Sequence, residues 1–514
     1  MPIVQQGAIN TTALIVPDLY VQIVSPQTLL LNGVPTDILG IIGTSSWGPV
    51  GEPTIIGTMG DYASSFGPIM PRKYDLGTQV GTAVQQGARN FVCVRVTDGS
   101  DTAASLSILG SAIFTALYTG SFGNNISLIF SPGSAANVWR LTVSMPGINP
   151  EIYDNITGTG TIFWANLVSM VNNGNGPLRG PSQLIVATNL GGISTPVAGV
   201  FSFSAGSPGT DGATNVNSAT LVGVDTLPRR GMYALRSQNC SLALLADADD
   251  ATQWTTQVAF GLSESIYMIL TGPASDNIAN AITSIAVAGI DSYAAKLMFG
   301  DWIYWYDQAN ALTRLVSPQG FVAGRLANLS PEQSSLNKPL YGVLGTQKSG
   351  QPGSGTTTTY ASADLQALLG AGIDVITNPQ PGGAYWGVRG GFNTSSNIAI
   401  NGDNYTRLTN YIANTLASGM GAYVGQIVSS TLFQNIRSTL LAFLNGLLSQ
   451  GLLGSTNGAL PFTVVCNDSN NPQSRTALGY VQADIQVQYQ AINEKFIVNV
   501  QGGQTVQVSI QPVL

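Results

Sequence analysis

The run ILGII at residues 38–42 decides the fold class of this chain. A short, continuous apolar run of this kind is typical of a strand that is buried on both faces. Two further runs have the same character, FVCVRV at residues 91–96 and SLALLA at residues 241–246. Helix-like sequence at residues 75–86 separates the first two runs. Strands that alternate with helices predict an α/β core.

The later sequence continues this alternation. Asp61 and Asp276 are predicted to cap the helices that follow them, at residues 62–66 and up to residue 288. Residues 481–489 alternate strictly between apolar side chains and Gln or Asp, which predicts a strand. Further elements are predicted as helices at residues 364–369, 403–418 and 431–448, and as strands within residues 294–306, 373–377 and 462–466.

The character of the sequence changes between about residues 98 and 220. Gly, Asn, Ser and Thr dominate there, and short apolar runs recur between turn signals. That pattern predicts a small antiparallel β domain inserted into the larger α/β domain. The predicted strands of this insertion are residues 126–130, 139–143, 183–187 and 200–203.

Both ends of the chain resemble extended arms. Residues 13–16 and 19–24 are short β-type runs separated by Pro17, and residues 495–500 and 505–510 are two more at the other end. None has a turn-linked partner that could supply all its main-chain hydrogen bonds. We therefore expect each run to pair with a segment distant in sequence or with another chain.

Composition excludes several classes of function. The chain has no histidine, so a Ser-His-Asp or Cys-His site and a His-ligated metal are excluded. A net charge of −7 argues against nucleic-acid binding, which needs a basic surface. Only 9% of the 514 residues are charged, against about 25% in ordinary proteins. A surface covered by copies of the chain would account for this, and so would a polar, uncharged surface.

The membrane and redox signals are weak. The most apolar window, residues 438–453, is interrupted by Asn445, Gly446 and other polar or small residues, so no membrane insertion is predicted. The N-terminus does not read as a secretory signal. Cys93, Cys240 and Cys466 are far apart and lie in apolar runs, so we expect buried thiols in a reducing compartment instead of a disulfide or a metal site.

Three groups of residues could carry chemistry, and each has a structural alternative that we favour. Glycine spacings at Gly419 and Gly174 loosely match a phosphate loop but are expected by chance at this glycine content. The carboxylates of Asp247, Asp249 and Asp250 could bind a hard cation or could cap a helix and form a turn. The aromatic residues at 302–306 could stack on a sugar or base, or pack in a strand. We expect no catalytic residue, no cofactor and no metal.

Several blocks of this sequence resemble the contractile tail sheath proteins of phages and related injection machines. Gly390 stands where that family usually has Thr, and Asp468 follows Asn467 instead of following the Cys466 strand directly. The matching blocks are GVPTD at 33–37, GIIGT at 40–44, Gly48-Pro49, Pro53, Asp61-Tyr62 with Phe66-Gly67, FVCVRV at 91–96, WIYW at 302–305, SPQGFVAG at 317–324, AGID at 371–374, WGVR at 386–389, FTVVC at 462–466 and EKFIV at 494–498.

The resemblance implies a mixed α/β core domain with an inserted β-rich domain and extended N- and C-terminal β arms. The expected division is an N-terminal linking arm at 1–33, the first part of the core at 34–97, the inserted outer domain at 98–220, the second part of the core at 221–492 and a C-terminal linking arm at 493–514. The expected subunit-linking residues are Leu19, Tyr20, Val21, Gln22, Ile23 and Val24 in the first arm, and Lys495, Phe496, Ile497, Val498, Asn499, Val500, Val506, Val508 and Ile510 in the second.

The resemblance also implies a function. Sheath subunits form hexameric rings stacked helically around a tail tube, and contraction from a metastable extended state drives the tube through the host envelope. The implied partners are other copies of the chain, the tube protein, and baseplate and neck or terminator proteins. The implied location is the virion tail, assembled in the cytoplasm of the host bacterium. A phage tail is favoured over a bacterial secretion sheath, which commonly divides the sheath between two chains.

Alternatives from other classes stay open on the sequence. A tail tube or capsid-like protein would share the composition but should lack two β arms around an α/β core. A hydrolase-like fold is conceivable, but without histidine the expected catalytic base is missing. A secreted adhesin would fit the inserted β domain but should carry a signal peptide.

Overall fold

The computed structural model of the protein describes residues 3–6, 20–23, 31–176, 179–351, 353–354 and 358–500. In chain order, its strands are β1 Ile3–Gln6, β2 Tyr20–Ile23, β3 Ile38–Gly43, β4 Pro53–Ile56, β5 Asn90–Arg95, β6 Ser105–Ile108, β7 Ala112–Ala116, β8 Ser127–Pro132, β9 Trp139–Met145, β10 Ile148–Ile156, β11 Ile185–Asn189, β12 Gly199–Ser202, β13 Leu242–Leu245, β14 Tyr267–Thr271, β15 Ala295–Met298, β16 Ile303–Asp307, β17 Leu312–Val316, β18 Val343–Thr346, β19 Ile373–Asp374, β20 Ile376–Thr377, β21 Gly387–Val388, β22 Phe462–Val465 and β23 Asp484–Val487.

The α-helices are α1 Met59–Phe66, α2 Leu76–Gln85, α3 Gly160–Asn173, α4 Ser218–Val222, α5 Trp254–Glu264, α6 Ile278–Ala288, α7 Gln319–Ala327, α8 Ser362–Gly370, α9 Asp403–Gly419, α10 Ser430–Ser449 and α11 Gln473–Thr476. In the part of the chain that the structure describes, no helix is long and apolar enough to cross a membrane.

A seven-stranded sheet forms the centre of the molecule, and we call it the central sheet. Its strand order is β19-β15-β14-β13-β3-β5-β4, and every neighbouring pair is parallel except β4 with β5. The three apolar runs that predicted the fold become β3, β5 and β13, which lie side by side in the middle of the sheet. The predicted α/β class is confirmed, because parallel strands buried on both faces read as continuous apolar runs.

Helices cover both faces of the central sheet, and each face has its own apolar cluster. On one face α1, α2 and α7 contribute Phe66, Val80 and Phe321. On the other face α5 and α6 contribute Trp254 and Ile285. This two-sided cover leaves β13, β14 and β15 fully buried, which is the usual arrangement for a parallel sheet, whereas the antiparallel edge strand β4 is partly exposed.

Some predicted local details are wrong. Thr58, not Asp61, is the N-cap of α1: its side chain accepts a hydrogen bond from the Asp61 amide, and the Asp61 carboxylate accepts one from the Thr58 amide. Asn277, not Asp276, caps α6. The strand predicted at residues 373–377 is split into β19 and β20, which belong to different sheets.

The predicted insertion contains two antiparallel sheets, ordered β10-β9-β8-β12 and β11-β7-β6. The 14-residue helix α3 was not predicted from the sequence, and it packs Phe163 and Trp164 into the apolar cluster of this region. The two ends of the insertion lie together, because the Asp98 amide donates to Gly212 O at 2.7 Å. The division of the chain into five domains stays a prediction.

The last part of the fold combines α9, α10 and the antiparallel pair β22–β23, and we call residues 403–490 the C-terminal module. Its apolar cluster is separate from those of the central sheet and includes Ile436, Leu444, Phe462 and Val464. The period-two sequence at 481–489 forms β23, whose Ile485 and Val487 lie against this cluster. The alternation therefore has the cause expected of it, one face packed and one face open.

Candidate assembly site

The C-terminal arm is the largest exposed apolar segment that the structure describes. Residues 493–500 form no hydrogen bond to any other described residue. Phe496 is 82% exposed, Ile497 80%, Val498 63% and Val500 85%. In an extended chain Phe496, Val498 and Val500 share one side, so the segment has the apolar face of a strand, and the described residues leave most of that face exposed.

The sequence predicted a strand at residues 495–500, and no strand forms there within the single chain. The physical reason is that a strand exists only by pairing, and the described part of the chain supplies no partner for these main-chain groups. The predicted role of Lys495, Phe496, Ile497, Val498, Asn499 and Val500 in subunit linking stays a prediction. Val506, Val508 and Ile510 lie outside the described residues.

The N-terminal arm differs from the expectation in one respect. Tyr20–Ile23, which includes Val21 and Gln22, is a strand, but it pairs in parallel with Ile3–Gln6 of the same arm. The sequence argument considered only a hairpin partner, whereas this pairing is parallel. The two strands form a sheet of their own, so each keeps one edge without a described partner. Leu19 and Val24 lie outside the described residues.

The β22–β23 pair has two edges, and the edge of β23 leads along the chain toward the C-terminal arm. The Gln488 amide donates to Pro461 O at 2.7 Å, so Pro461 and Gln488 are a hydrogen-bonded pair. Hydrogen-bonded and non-hydrogen-bonded pairs alternate along an antiparallel ladder, and this bond therefore identifies each kind. By that alternation the main-chain groups of Phe462 and Val464 point away from β23, and those of Ile485 and Val487 point away from β22. On the first edge only a weak bond from Arg437, 3.4 Å long to Val464 O, is present. The described residues of the second edge have no further partner. The edge of β23 can therefore accept another strand, whereas Phe462 and Val464 of β22 are only 2% and 6% exposed, so that the edge of β22 is largely covered.

Helix α9 is bonded to the residues that adjoin the two arms, which we call the arm roots: Val34 on the N-terminal side, and Tyr489 and Gln490 on the C-terminal side. The Val34 amide donates to the Thr415 hydroxyl at 3.2 Å on the N-terminal side. On the C-terminal side the Asn404 amide group donates to Gln490 O at 3.0 Å, and the Thr409 and Tyr489 hydroxyls lie 3.1 Å apart. Sequence reasoning missed these contacts, because polar residues within a predicted helix give no signal of what they bind.

The acidic cluster lies at the carboxyl ends of the parallel strands, where α/β sheets often bind ligands. Asp247 is buried there and accepts hydrogen bonds from Gln79 Nε2 at 2.9 Å and the Tyr74 amide at 3.1 Å. Burial raises the pKa of Asp247. Asp249 pairs with Lys73 at 2.8 Å, and Asp250 accepts from the Thr252 amide at 3.0 Å. All three carboxylates are thus engaged in local structure, and protein side chains fill the crevice.

The remaining candidates also have structural roles. Trp302 and Trp305 are buried, and their indole N–H groups donate to Gly272 O at 3.1 Å and Gln85 Oε1 at 3.0 Å. The aromatic run therefore packs in and around β16 and is not an open platform. The three cysteines are buried and unpaired, and burial raises the pKa of Cys240 to about 12. Across the described ranges, no three His, Cys, Asp or Glu residues lie close enough to share a metal ion.

Solved structures similar to this fold include sheath proteins. The sheath tail protein of Desulfitobacterium hafniense matches with a TM-score of 0.58 at 17% identity, over 87% of this chain and 93% of that chain. The sheath tail protein of Listeria innocua matches with a TM-score of 0.59 at 14% identity, over 85% of this chain and 90% of that chain. The chain has the contractile tail sheath fold.

The sheath fold extends along almost the whole sequence. The helical sheath of the anti-feeding prophage, in its contracted state, matches with a TM-score of 0.56 at 12% identity, over 95% of this chain and 99% of that chain. No protein-family model and no curated protein matches the sequence. The resemblance that the sequence blocks suggested is thereby confirmed at the level of the fold, and the neighbours are structural components of assemblies.

Proposed function

We propose that this protein is the sheath subunit of a contractile tail, which polymerises by donating its arms to neighbouring copies. The observation that carries the proposal is the exposed apolar face of Phe496, Val498 and Val500, together with the unpaired edge of β23. The sheath fold supplies the context, because its solved examples include helical sheaths. The arms would add strands to the β22–β23 sheet of other subunits through main-chain hydrogen bonds.

The energetics favour such strand exchange. Full burial of one large apolar side chain contributes about 1.5–3 kcal/mol. Three such side chains on one face of the arm, together with a completed ladder, would hold one subunit to the next. The same contact repeats in every subunit, so a modest gain per contact stabilises a long polymer. A heterologous contact that repeats with a rise gives an open helix, here proposed as stacked hexameric rings.

The sheath so built would surround a tail tube and contract from a metastable extended state, driving the tube through the host envelope. We propose a non-enzymatic subunit with the tube, baseplate and neck or terminator proteins as partners. We further propose a virion tail assembled in the bacterial cytoplasm. An injection system outside a virion is the nearest alternative, because one neighbour is the sheath of an extracellular contractile injection system.

We also propose that residues 98–220 are a separable domain on the outer surface of the sheath. The closeness of Asp98 and Gly212 supports this, because a short linker could replace everything between them. The excised protein should stay soluble and keep a cooperative thermal melt, recorded by circular dichroism. Part of the side chain of Trp47, which packs in the cluster of the insertion, would become exposed. An aggregated or unfolded product would contradict the separability.

The function is tested by negative-stain microscopy and sedimentation of the purified protein. We expect striated hollow cylinders from the wild type, whereas thin tubes or closed shells would indicate a tube or capsid-like protein. Val21→Pro removes a main-chain donor in β2 and should prevent polymerisation. Val21→Ala keeps that donor and is the matched control. Long cylinders from the proline variant would contradict the proposed role of the N-terminal arm.

A further inference from the structure

Helix α9 presents a polar face to the core, which is unusual for a buried helix. The residues that bond to the core or line its contact with it follow at helical spacing and are Asp403, Thr406, Arg407, Asn410 and Asn414. The apolar side of the same helix, with Ile412 and Leu416, packs into the cluster of the C-terminal module instead. A polar interface therefore separates the apolar cluster of the C-terminal module from those of the central sheet.

A buried charge cluster lies at the start of this interface. Lys296 Nζ, on β15, is 2.6 Å from Asp374 Oδ2, on β19, and 3.2 Å from Asp403 Oδ1, the first residue of α9. All three side chains are fully buried or within 1% of it. Arg407, one turn further along α9, donates to Leu329 O at 2.7 Å. Two cations thus balance two carboxylates in the interior.

The cluster is tied into the surrounding main chain by further hydrogen bonds. The Tyr267 hydroxyl donates to Asp403 Oδ1 at 2.7 Å, and the Ser335 amide donates to Asp403 Oδ2 at 3.0 Å. The Gly390 and Gly391 amides each donate to Asp374 at 2.7 Å. Burial alone would raise the pKa of Asp403, and the Lys296 ammonium together with the Ser335 hydroxyl lowers it below its ordinary value.

The middle of the interface contains a small cavity that polar and apolar residues line together. Asn410 and Asn414 line it from α9, and Ser241 and Ser265 line it from the core. The Asn410 Nδ2 group is buried and has no hydrogen-bond partner within the described residues. Hydrogen bonds and ion pairs therefore join α9 to the core from Asp403 to Asn414, and they fix its position in a directional way.

We propose that this polar interface holds the C-terminal module at one fixed angle on the central sheet and opens only as a unit. Hydrogen bonds and buried ion pairs tolerate one geometry, and a displaced helix would leave charges buried without partners. Because both arm roots attach to α9, a pull on either arm would reach the central sheet through Lys296 and Asp374. The transmission of force from the arms rests on the proposed function. The opening of the interface as a single unit does not.

The test is hydrogen exchange on the soluble full-length subunit with Lys296→Met, which removes the ammonium and keeps the length of the side chain. We expect amides at residues 334–336, 390–391 and 403–419 to exchange about 100-fold faster, since an uncompensated buried charge is costly. Amides of β3 and β13 should stay within about threefold of the wild type, because local openings need not involve the most stable strands. A uniform increase along the chain, or no increase in α9, would overturn the proposal.

A matched control is Lys348→Met, which breaks the partly exposed Lys348–Asp364 pair and should leave α9 unchanged. If Lys296→Met does not fold, native-state exchange of the wild type in rising denaturant decides the question. Amides of α9 should then share one opening, distinct from that of β13. Residue-by-residue fraying of α9, or a single opening for the whole chain, would count against a unit interface. Neither experiment measures polymerisation. A protein that failed to polymerise would therefore contradict only the proposed function, not the interface proposed here.

Discussion

Strand β13 and residues 496–500 are similar segments in opposite surroundings. The side chains of Leu242, Leu244 and Leu245 are fully buried between two strands and two layers of helices, whereas Phe496 and Val500 are more than four-fifths exposed. Both segments are short, apolar and able to extend. The difference lies in their partners: β13 pairs with β3 and β14 of its own chain, and residues 496–500 pair with no described residue.

This contrast shows that an apolar strand sequence specifies the need for a partner but not its location. An exposed apolar edge invites association, and natural proteins usually protect such edges. For an arm that is exposed in the single chain, we propose a partner in another copy. Variants of β13 and of residues 496–500 can test this explanation.

The largest effect is expected in the arm. Replacing Phe496, Val498 and Val500 together with Ser removes the apolar face and should abolish polymerisation, measured by sedimentation. The melting temperature should stay within about 2 °C of the wild type, because exposed side chains contribute little to stability. Val287→Ser, at a site 83% exposed on α6, is the control and should polymerise normally. Cylinders formed by the triple variant would show that the arm is not the link.

The second effect concerns β13. Leu244→Ala leaves a cavity beneath the helices and should lower the free energy of unfolding by about 2–5 kcal/mol. Val498→Ala in the arm should change it by less than about 0.5 kcal/mol. Chemical denaturation of both variants gives the comparison. Similar losses from the two would mean that the arm packs within its own subunit.

The elements of this structure differ in how well the sequence predicts them. The strands β3, β5 and β13 were predictable because short, continuous apolar runs between turn signals are typical of buried strands. Helix α3 was missed although its buried residues Phe163, Trp164, Leu167 and Val171 follow helical spacing, because the turn-rich sequence on both sides favoured short strands throughout this region. The charge cluster of α9 could not be predicted, since Lys296 is 78 residues from Asp374 and 107 from Asp403. Only tertiary structure brings such residues together.

The candidate site was predictable only in part. Period two identified β23, because one face of that strand is packed and the other is not. The arms were predicted because their strand-like runs have no nearby partner in the sequence. Such an argument cannot identify the sheet edge with which an arm pairs. The parallel pairing of β1 with β2 was not predicted. Parallel strands are not joined by a tight turn, so no turn signal in the sequence indicates the pairing.

A third effect is a pH dependence within the core. Burial raises the pKa of Asp75, the N-cap of α2, to about 7. The resulting stability is present in full below about pH 4, where the carboxyl is also protonated in the unfolded chain, and it is lost as the pH rises through 7. Asp75→Asn keeps an acceptor for the Thr78 amide and should therefore flatten the fall in melting temperature between about pH 4 and 7. Equal slopes in the two proteins would contradict this assignment.

The smallest effect is expected at the cap of α1. Thr58→Ala removes the acceptor for the Asp61 amide and should cost about 1 kcal/mol of stability, measured by denaturation. Thr58→Ser keeps the hydroxyl and is the matched control. Polymerisation should be unchanged in both variants, because this cap is far in sequence from either arm. Loss of cylinders in Thr58→Ala would mean that arm function depends on local stability of the core.

The central claim is that the partner of the C-terminal arm lies in another subunit, and isotope-mixed crosslinking tests it most directly. A photoreactive benzoylphenylalanine would replace Val498 in equal amounts of light and 15N-labelled protein, mixed before assembly and then irradiated. Residue 498 should crosslink to peptides that contain Phe462–Val465 or Asp484–Val487. About half of these crosslinked pairs should combine a light and a heavy peptide, as random mixing of copies in a closed or helical assembly requires. Pairs that are only light–light or heavy–heavy would place the partner in the same chain and contradict the account.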